Sequence, residues 1–305
     1  MTRGGSHSGM GGFSSGQPPG TRSGRFTGRW KEDVNHLTAR RVITMAEGFT
    51  GTALPLDEDG LQQALHVIGV GAAELWAVIG VETTGCGFLP DRRPKILFER
   101  HVFSCETGHR FDISNPDLSD PRPGGYGPAG AAQYERLLRA TALDRRAAPR
   151  SASWGIGQVM GYNAVPAGYP DAEQMVAAMI ASEGAQLMAM VRFVGANRLD
   201  RALRTHDWPT FARGYNGPNY SINSYDTRLA SAYARFLYGG LPDLTIRAAQ
   251  VYLLYLGYQP GSIDGVLGRL TRSAMNDFQD QTGLPLTDSL DEPTYAALRQ
   301  AVAGD

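Results

Sequence analysis

A mainly α-helical chain of two folded units behind an unstructured tail is what the sequence predicts, and three observations predict it. Apolar residues recur at helical spacing through most of residues 57–237. A Gly239-Gly240-Leu241-Pro242 stretch then reads as a linker before a compact, acidic segment. The first thirty residues hold nine glycines, five serines, four arginines and no acid, a composition that cannot bury a core. The expected layout is a tail over 1–30, a helical domain over 31–240 and a small domain over 243–305. A chain of 305 residues has room for roughly two domains.

Composition excludes several classes. With 42% apolar and 19% charged residues the chain is not mostly disordered. Its 29 basic and 30 acidic residues leave a net charge of −1, so the overall basic footprint of a nucleic-acid binder is absent. No apolar run approaches the ~18 residues of a membrane span, and none near the N-terminus resembles the apolar centre of a secretory signal. Two cysteines exclude a disulfide-dense scaffold and a four-cysteine zinc site. Cys86 and Cys105 read equally well as a disulfide or as free thiols, since geometry decides.

The elements follow in order. Val34, Leu37, Ile43 and Met45 suggest a loose amphipathic segment. Leu61, Leu65 and Ile68 mark a helix over 57–68, with Asp57 or Asp59 at its start. Gly69 and Gly71 break the chain before a helix over 72–83, which Gly85 and Gly87 end. Residues 88–128 are rich in Pro, Gly, Asp and Asn and predict loops with short strands. Helices are expected over 133–146, in one long piece over 170–197, and over 199–204, 208–215 and 225–237. The last unit holds eight acids and four arginines, a net −4, and three helical stripes around Leu253, Phe278 and Leu298. The linker reading implies that a chain ending near Gly240 folds alone.

Glu82 is the most informative residue. On a 3.6-residue period it shares the stripe of Leu75, Val78 and Ile79, which faces inward. Burial disfavours an ionised carboxylate, and the negative end of the helix dipole raises its pKa further. A carboxyl still protonated near neutral pH is what acid-catalysed glycoside cleavage requires. The alternative from spacing alone is a glutamate at a frayed helix end that turns to solvent.

The stretch Ala77-Val-Ile-Gly-Val-Glu82-Thr-Thr-Gly-Cys-Gly-Phe88, continuing through Lys95-Ile-Leu-Phe-Glu99-Arg100-His101, resembles the N-acetylmuramidase family of phage endolysins and related bacterial proteins. Ser151-Ala-Ser153-Trp154-Gly-Ile-Gly-Gln158, Ser182-Glu183-Gly184 and Tyr215-Asn216-Gly217-Pro218 resemble its later blocks, in the family's order, over about residues 50–238. The resemblance implies a lysozyme-like helical fold, cleavage of peptidoglycan glycan strands, and a catalytic role for Glu82. It also places Glu99, Ser153, Trp154, Gln158, Glu183, Tyr215 and Asn216 at the sugar groove, with Trp154 and Tyr215 as stacking faces. Gly155-Ile-Gly-Gln158 and Tyr215-Asn216-Gly217 are similar to groove blocks of lytic transglycosylases as well. Residues 243–305 resemble the three-helix peptidoglycan-binding domain, through Ile246-Arg-Ala-Ala-Gln250, Asp264-Gly265 and Thr271 to Gln279.

The expectation is therefore a modular peptidoglycan hydrolase that cuts between N-acetylmuramic acid and N-acetylglucosamine. It needs no cofactor or metal, acts as a monomer, and neither binds nucleic acid nor inserts into a membrane. It is expected to act in the periplasm or on the cell wall after release from the cytoplasm. Glu183 reads either as a groove residue or as a core acid paired with an arginine, and Glu99 likewise. The rivals are a lytic transglycosylase giving anhydro-muramyl ends, a catalytically dead wall-binding protein, and a zinc amidase built on His101, Cys105, His109 and Asp112.

Overall fold

The computed structural model describes residues 48–83 and 85–304. The tail over 1–30 and the amphipathic segment up to Met45 lie outside the described residues.

Helix α1 (Glu58–Ile68) begins where the Asp57 carboxylate accepts the Gly60 N–H at 2.9 Å, and ends at Gly69 in the left-handed region at φ +65°. Helix α2 (Ala72–Thr83) is apolar on nearly every side, and Leu75, Trp76, Ala77, Val78, Ile79 and Val81 are all buried. That marks it as the central helix of the larger domain. A three-residue strand β1 (Ile96–Phe98) leads into α3 (Arg100–Glu106), a helix where the Pro-, Gly- and Asp-rich composition of residues 88–128 predicts loop. Next come α4 (Ala132–Leu143), the single turn α5 (Ala147–Arg150), and strands β2 (Ala152–Trp154) and β3 (Val159–Met160). The three strands form one antiparallel sheet in the order β1-β2-β3, with Ile96 opposite Trp154 and Ser153 opposite Met160.

The expected long helix over 170–197 is two helices, α6 (Ala172–Met179) and α7 (Glu183–Ala196). The break has a long-range cause. The carbonyls of Ile180 and Ala181 accept from the backbone N–H groups of Ala53 and Leu54, and the Glu183 N–H donates to the Leu54 carbonyl. Ser182 caps α7 by accepting the Ala185 N–H at 3.1 Å. Helices α8 (Asp200–Arg204), α9 (Trp208–Asn216) and α10 (Tyr225–Gly239) follow, and α10 packs along α2, bringing Phe236 within 6.2 Å of Trp76.

Helix α10 stops at Gly239 and α11 (Leu244–Tyr255) starts behind Asp243, which accepts the Thr245 and Ile246 N–H groups. With α12 (Arg269–Thr282) and α13 (Glu292–Gly304) it encloses its own small core around Leu253, Met275, Phe278 and Leu298. A second set of contacts runs the other way. Val251 and Ile263 pack with Ala53, Cys86 and Phe88 in one buried cluster, and the Tyr255 hydroxyl donates to the Ala53 carbonyl at 2.9 Å. The C-terminal unit thus shares a buried cluster with the larger domain, closer packing than a linker at Gly239–Pro242 suggests. Among the described residues no single helix is long and apolar enough to cross a membrane.

Candidate active site

Glu82 occupies the last turn of α2, half-buried between the buried Val81 and Thr83. The Tyr225 hydroxyl donates to its Oε1. Asn216, at the end of α9, makes a second side-chain hydrogen bond, and the Arg228 guanidinium lies nearby. Burial raises the carboxyl to about 7, against the opposing pull of Tyr225, Asn216 and Arg228. Desolvation therefore dominates, and the carboxyl keeps its proton well above the ordinary carboxylate range.

The end of this helix is held by cations. Carbonyls in the last turn of a helix lack intrahelical partners and attract positive charge. Arg228 of α10 donates from Nη2 to the Val81 carbonyl at 3.0 Å, and Lys95 donates from Nζ to the Thr83 carbonyl at 3.0 Å. Lys95 immediately precedes β1, so the same contact ties the sheet to the helix that carries Glu82.

The loop Gly155–Gln158 joins β2 to β3. Gly155 sits at φ +70°, and a side chain there would meet Gln186, whose Oε1 accepts the Ile156 N–H at 2.7 Å. Gly87 is equally constrained, since an added Cβ would fall 2.0 Å from the Gln186 Oε1. Gln158 adopts φ +47° without being glycine. Its amide nitrogen donates to the carbonyls of Gly155 and Lys95, and its Oε1 accepts from the Ser153 hydroxyl at 2.8 Å. Ser153 is buried, and its hydroxyl is committed to Gln158. Tyr215 donates its hydroxyl to the Gly157 carbonyl while its ring stacks on Phe211, with centroids 5.3 Å apart. It therefore links this loop to α9, one residue before Asn216.

Two expected groove residues lie elsewhere. Trp154 is fully buried between Phe49 and Tyr134, and its indole N–H donates to the Pro149 carbonyl at 2.9 Å. It offers no face to a sugar. Glu183 is also fully buried. Its Oε2 accepts from Arg247 Nη1 at 2.6 Å and from the Leu56 N–H at 2.8 Å, and its Oε1 accepts from Arg247 Nη2 and the Gly87 N–H, each at 2.8 Å. Burial pushes the Glu183 carboxyl up, but Arg247 and the two backbone donors outweigh it and hold the group below its ordinary value. The core-acid reading describes this residue, and every strong acceptor direction is taken.

Glu99 stands at the start of α3, four residues beyond Lys95, roughly 13 Å of extended chain. Burial raises it to about 7, opposed by Arg136 and a hydrogen bond from Tyr126. Its Oε2 lies 3.1 Å from His101 Nδ1. The proposed zinc residues are not assembled. His109 pairs with Asp112 at 3.0 Å, His101 faces Glu99, and Cys105 is exposed. Among the described residues no group of three or more His, Cys, Asp or Glu is placed to hold a metal ion. Cys86 is buried and Cys105 exposed, both as free thiols.

Sequence reasoning missed Tyr225, Arg228, Lys95 and Arg247. Tyr225 had one available signal: it lies on the buried stripe with Leu229 and Phe236, and a buried tyrosine hydroxyl needs a partner.

Comparison with known proteins adds the following. The family model described as N-acetylmuramidase matches residues 71–237, and a model described as a peptidoglycan binding domain matches residues 243–298. Among solved structures, the crystal structure of the Burkholderia AP3 phage endolysin is similar at 40% identity and a TM-score of 0.55, covering 60% of this chain and 71% of that one. No curated protein matches.

Proposed function

Because the chain belongs to the N-acetylmuramidase family, we propose that Glu82 is the general acid of a glycan-strand cleavage. The protein is a peptidoglycan hydrolase, a glycoside hydrolase of the muramidase type, and peptidoglycan is its partner through residues 243–298. The supporting observation is the Glu82 carboxyl hydrogen-bonded to Tyr225 and Asn216, with burial raising it to about 7. Such a group gives its proton to the oxygen between N-acetylmuramic acid and N-acetylglucosamine as that bond breaks. Asn216 is exposed beside it and positioned to meet the sugar's acetamido group. Gln158 and Tyr215 act mainly by holding the Gly155–Gln158 loop, whose Ile156 carbonyl accepts the Thr83 hydroxyl next to Glu82.

Tyr225 tunes the acid. Its hydrogen bond favours the ionised carboxylate, so Tyr225→Phe raises the Glu82 pKa. The alkaline limb of the activity profile then moves to higher pH, and a limb that stays put or moves to lower pH in that variant refutes the assignment.

The cleaved glycan leaves an oxocarbenium-like centre, captured by water in a hydrolase or by the sugar's own 6-hydroxyl in a transglycosylase. A hydrolase uses a second polar group to hold the water. Of the two carboxyls the sequence offers, Glu183 is sealed in its ion pair, and Glu99, raised to about 7 beside Arg136 and Tyr126, is the one proposed for that duty. The expected product is a reducing muramic acid end. Mass spectrometry of fragments released from purified peptidoglycan reads this directly, and predominantly anhydro-muramyl ends would overturn hydrolysis in favour of transglycosylation.

The site of action is the wall, reached from the periplasmic side, by a monomer that neither inserts into a membrane nor binds nucleic acid. A net charge of −1 supports the last point.

A further inference from the structure

The C-terminal unit sends one side chain into the structure that carries Glu82. Arg247, on the first turn of α11, is fully buried, as is its partner Glu183. Two of its guanidinium N–H groups satisfy Glu183, while Nε and Nη2 also donate to the Gly85 carbonyl, with Nε at 3.0 Å. The Trp76 ring covers the guanidinium at 5.7 Å. Gly85 is the third residue after Glu82. It sits at φ +94°, with the Ile263 carbonyl so close that a Cβ would fall 2.5 Å from it. Two residues on, the Gly87 N–H donates to the same Glu183. The loop that leaves the acid is therefore clamped at Gly85 and Gly87 by an ion pair, and half of that pair belongs to the wall-binding unit.

A buried ion pair is an expensive way to join two domains, because apolar residues of the same volume commonly serve as well or better. What it supplies is direction. Together Arg228, Lys95 and Arg247 take the carbonyls of Val81, Thr83 and Gly85, three alternate residues around Glu82, from three different parts of the fold.

We propose that Arg247 is a positioning residue for Glu82, so that the wall-binding unit is a working part of the active site as well as an anchor. This rests on Glu82 being the acid. A misplacement of about 1 Å in such a group costs on the order of 10²-fold in rate.

The test is steady-state kinetics on soluble glycan fragments, which need no anchoring. Arg247→Lys keeps a cation on Glu183 but gives up the planar grip, losing the Nε contact to the Gly85 carbonyl and the Nη1 contact to Glu183. Its kcat is expected to fall roughly 10- to 100-fold with KM little changed, and sedimentation with intact sacculi should be unaffected. Loosening admits water around Glu82, so the alkaline limb of the kcat profile should move to lower pH. The double variant Glu183→Met, Arg247→Met removes both charges and both holds on the loop, and the same kinetic loss is expected with folding intact. Wild-type kcat and pH limb in either folded variant overturn the proposal. Loss of cooperative unfolding in both variants overturns it too, since Arg247 would then serve the fold alone. Wild-type protein and Glu82→Gln run alongside: an inactive wild type or an active Glu82→Gln sinks the acid assignment, a different outcome from any failure of Arg247.

Discussion

Replacing Glu82 with Gln lowers lytic activity on purified sacculi by at least ~10²-fold, the usual scale for a general acid, and leaves sedimentation with the wall unchanged. The amide keeps the volume and still accepts from the Tyr225 hydroxyl, but it has no proton to give. The pH dependence supplies a second check. The acid works while protonated, so wild-type activity declines as pH rises through about 7. Stability runs with the same sign. The folded carboxyl binds its proton more tightly than the unfolded one, whose value is near 4.5, so the native state is relatively favoured at low pH and loses that advantage as pH rises through about 7. Glu82→Gln is therefore expected to be more stable than wild type at pH 8, by on the order of 1 kcal/mol, with the gap closing below pH 4. Thermal melts across that range measure it. A variant with near-normal turbidity clearance would remove Glu82 from the mechanism.

Ending the chain at Gly240 should cost far more than wall affinity. It strips Arg247 from Glu183 and leaves a buried carboxylate facing two backbone N–H groups with no countercharge. Orphaning one member of a buried pair costs about 3–5 kcal/mol. The deletion also uncovers Ala53, Cys86 and Phe88. Against a typical total stability of about 5–15 kcal/mol, the shortened chain should melt far below the full chain or fail to unfold cooperatively. Circular dichroism melts of the two lengths give the answer. Adding Glu183→Gln to the shortened chain should recover part of the loss, because the amide carries no charge to orphan. Equal melting temperatures for long and short chains would show the two units to be independent.

These expectations separate what periodicity reveals from what only the assembled fold reveals. The helix that carries Glu82, its inward stripe and the glycines behind it are local properties, legible at 3.6-residue spacing. So is the segment without helix at Gly240–Asp243. The break between α6 and α7 has only the capping Ser182 and nearby Gly184 to announce it, and residues 53–54, more than 120 positions earlier, hold it open. Glu183 and Trp154 lie in motif blocks, and position in a block does not say which way a side chain faces. Trp154 lies on a strand with both faces covered, and Glu183 answers to an arginine 64 residues away. A greater separation hid Tyr225, 143 residues from the carboxyl it contacts. Spacing reads one element at a time, and this site is assembled from four.

The bond from Tyr255 to the Ala53 carbonyl joins residues 202 positions apart, and it bears on how the molecule is made. Contacts of such sequence separation slow folding, because long loops must close before their contacts contribute. A chain emerging from the ribosome N-terminus first presents Ala53 and Glu82 early, yet the partners of Ala53, Gly85 and Glu183 arrive only with residues 247–263. Until then the part that carries the acid has an open flank and an unanswered buried charge. The enzyme thus matures late in synthesis, when residues 247–263 close onto Ala53, Gly85 and Glu183.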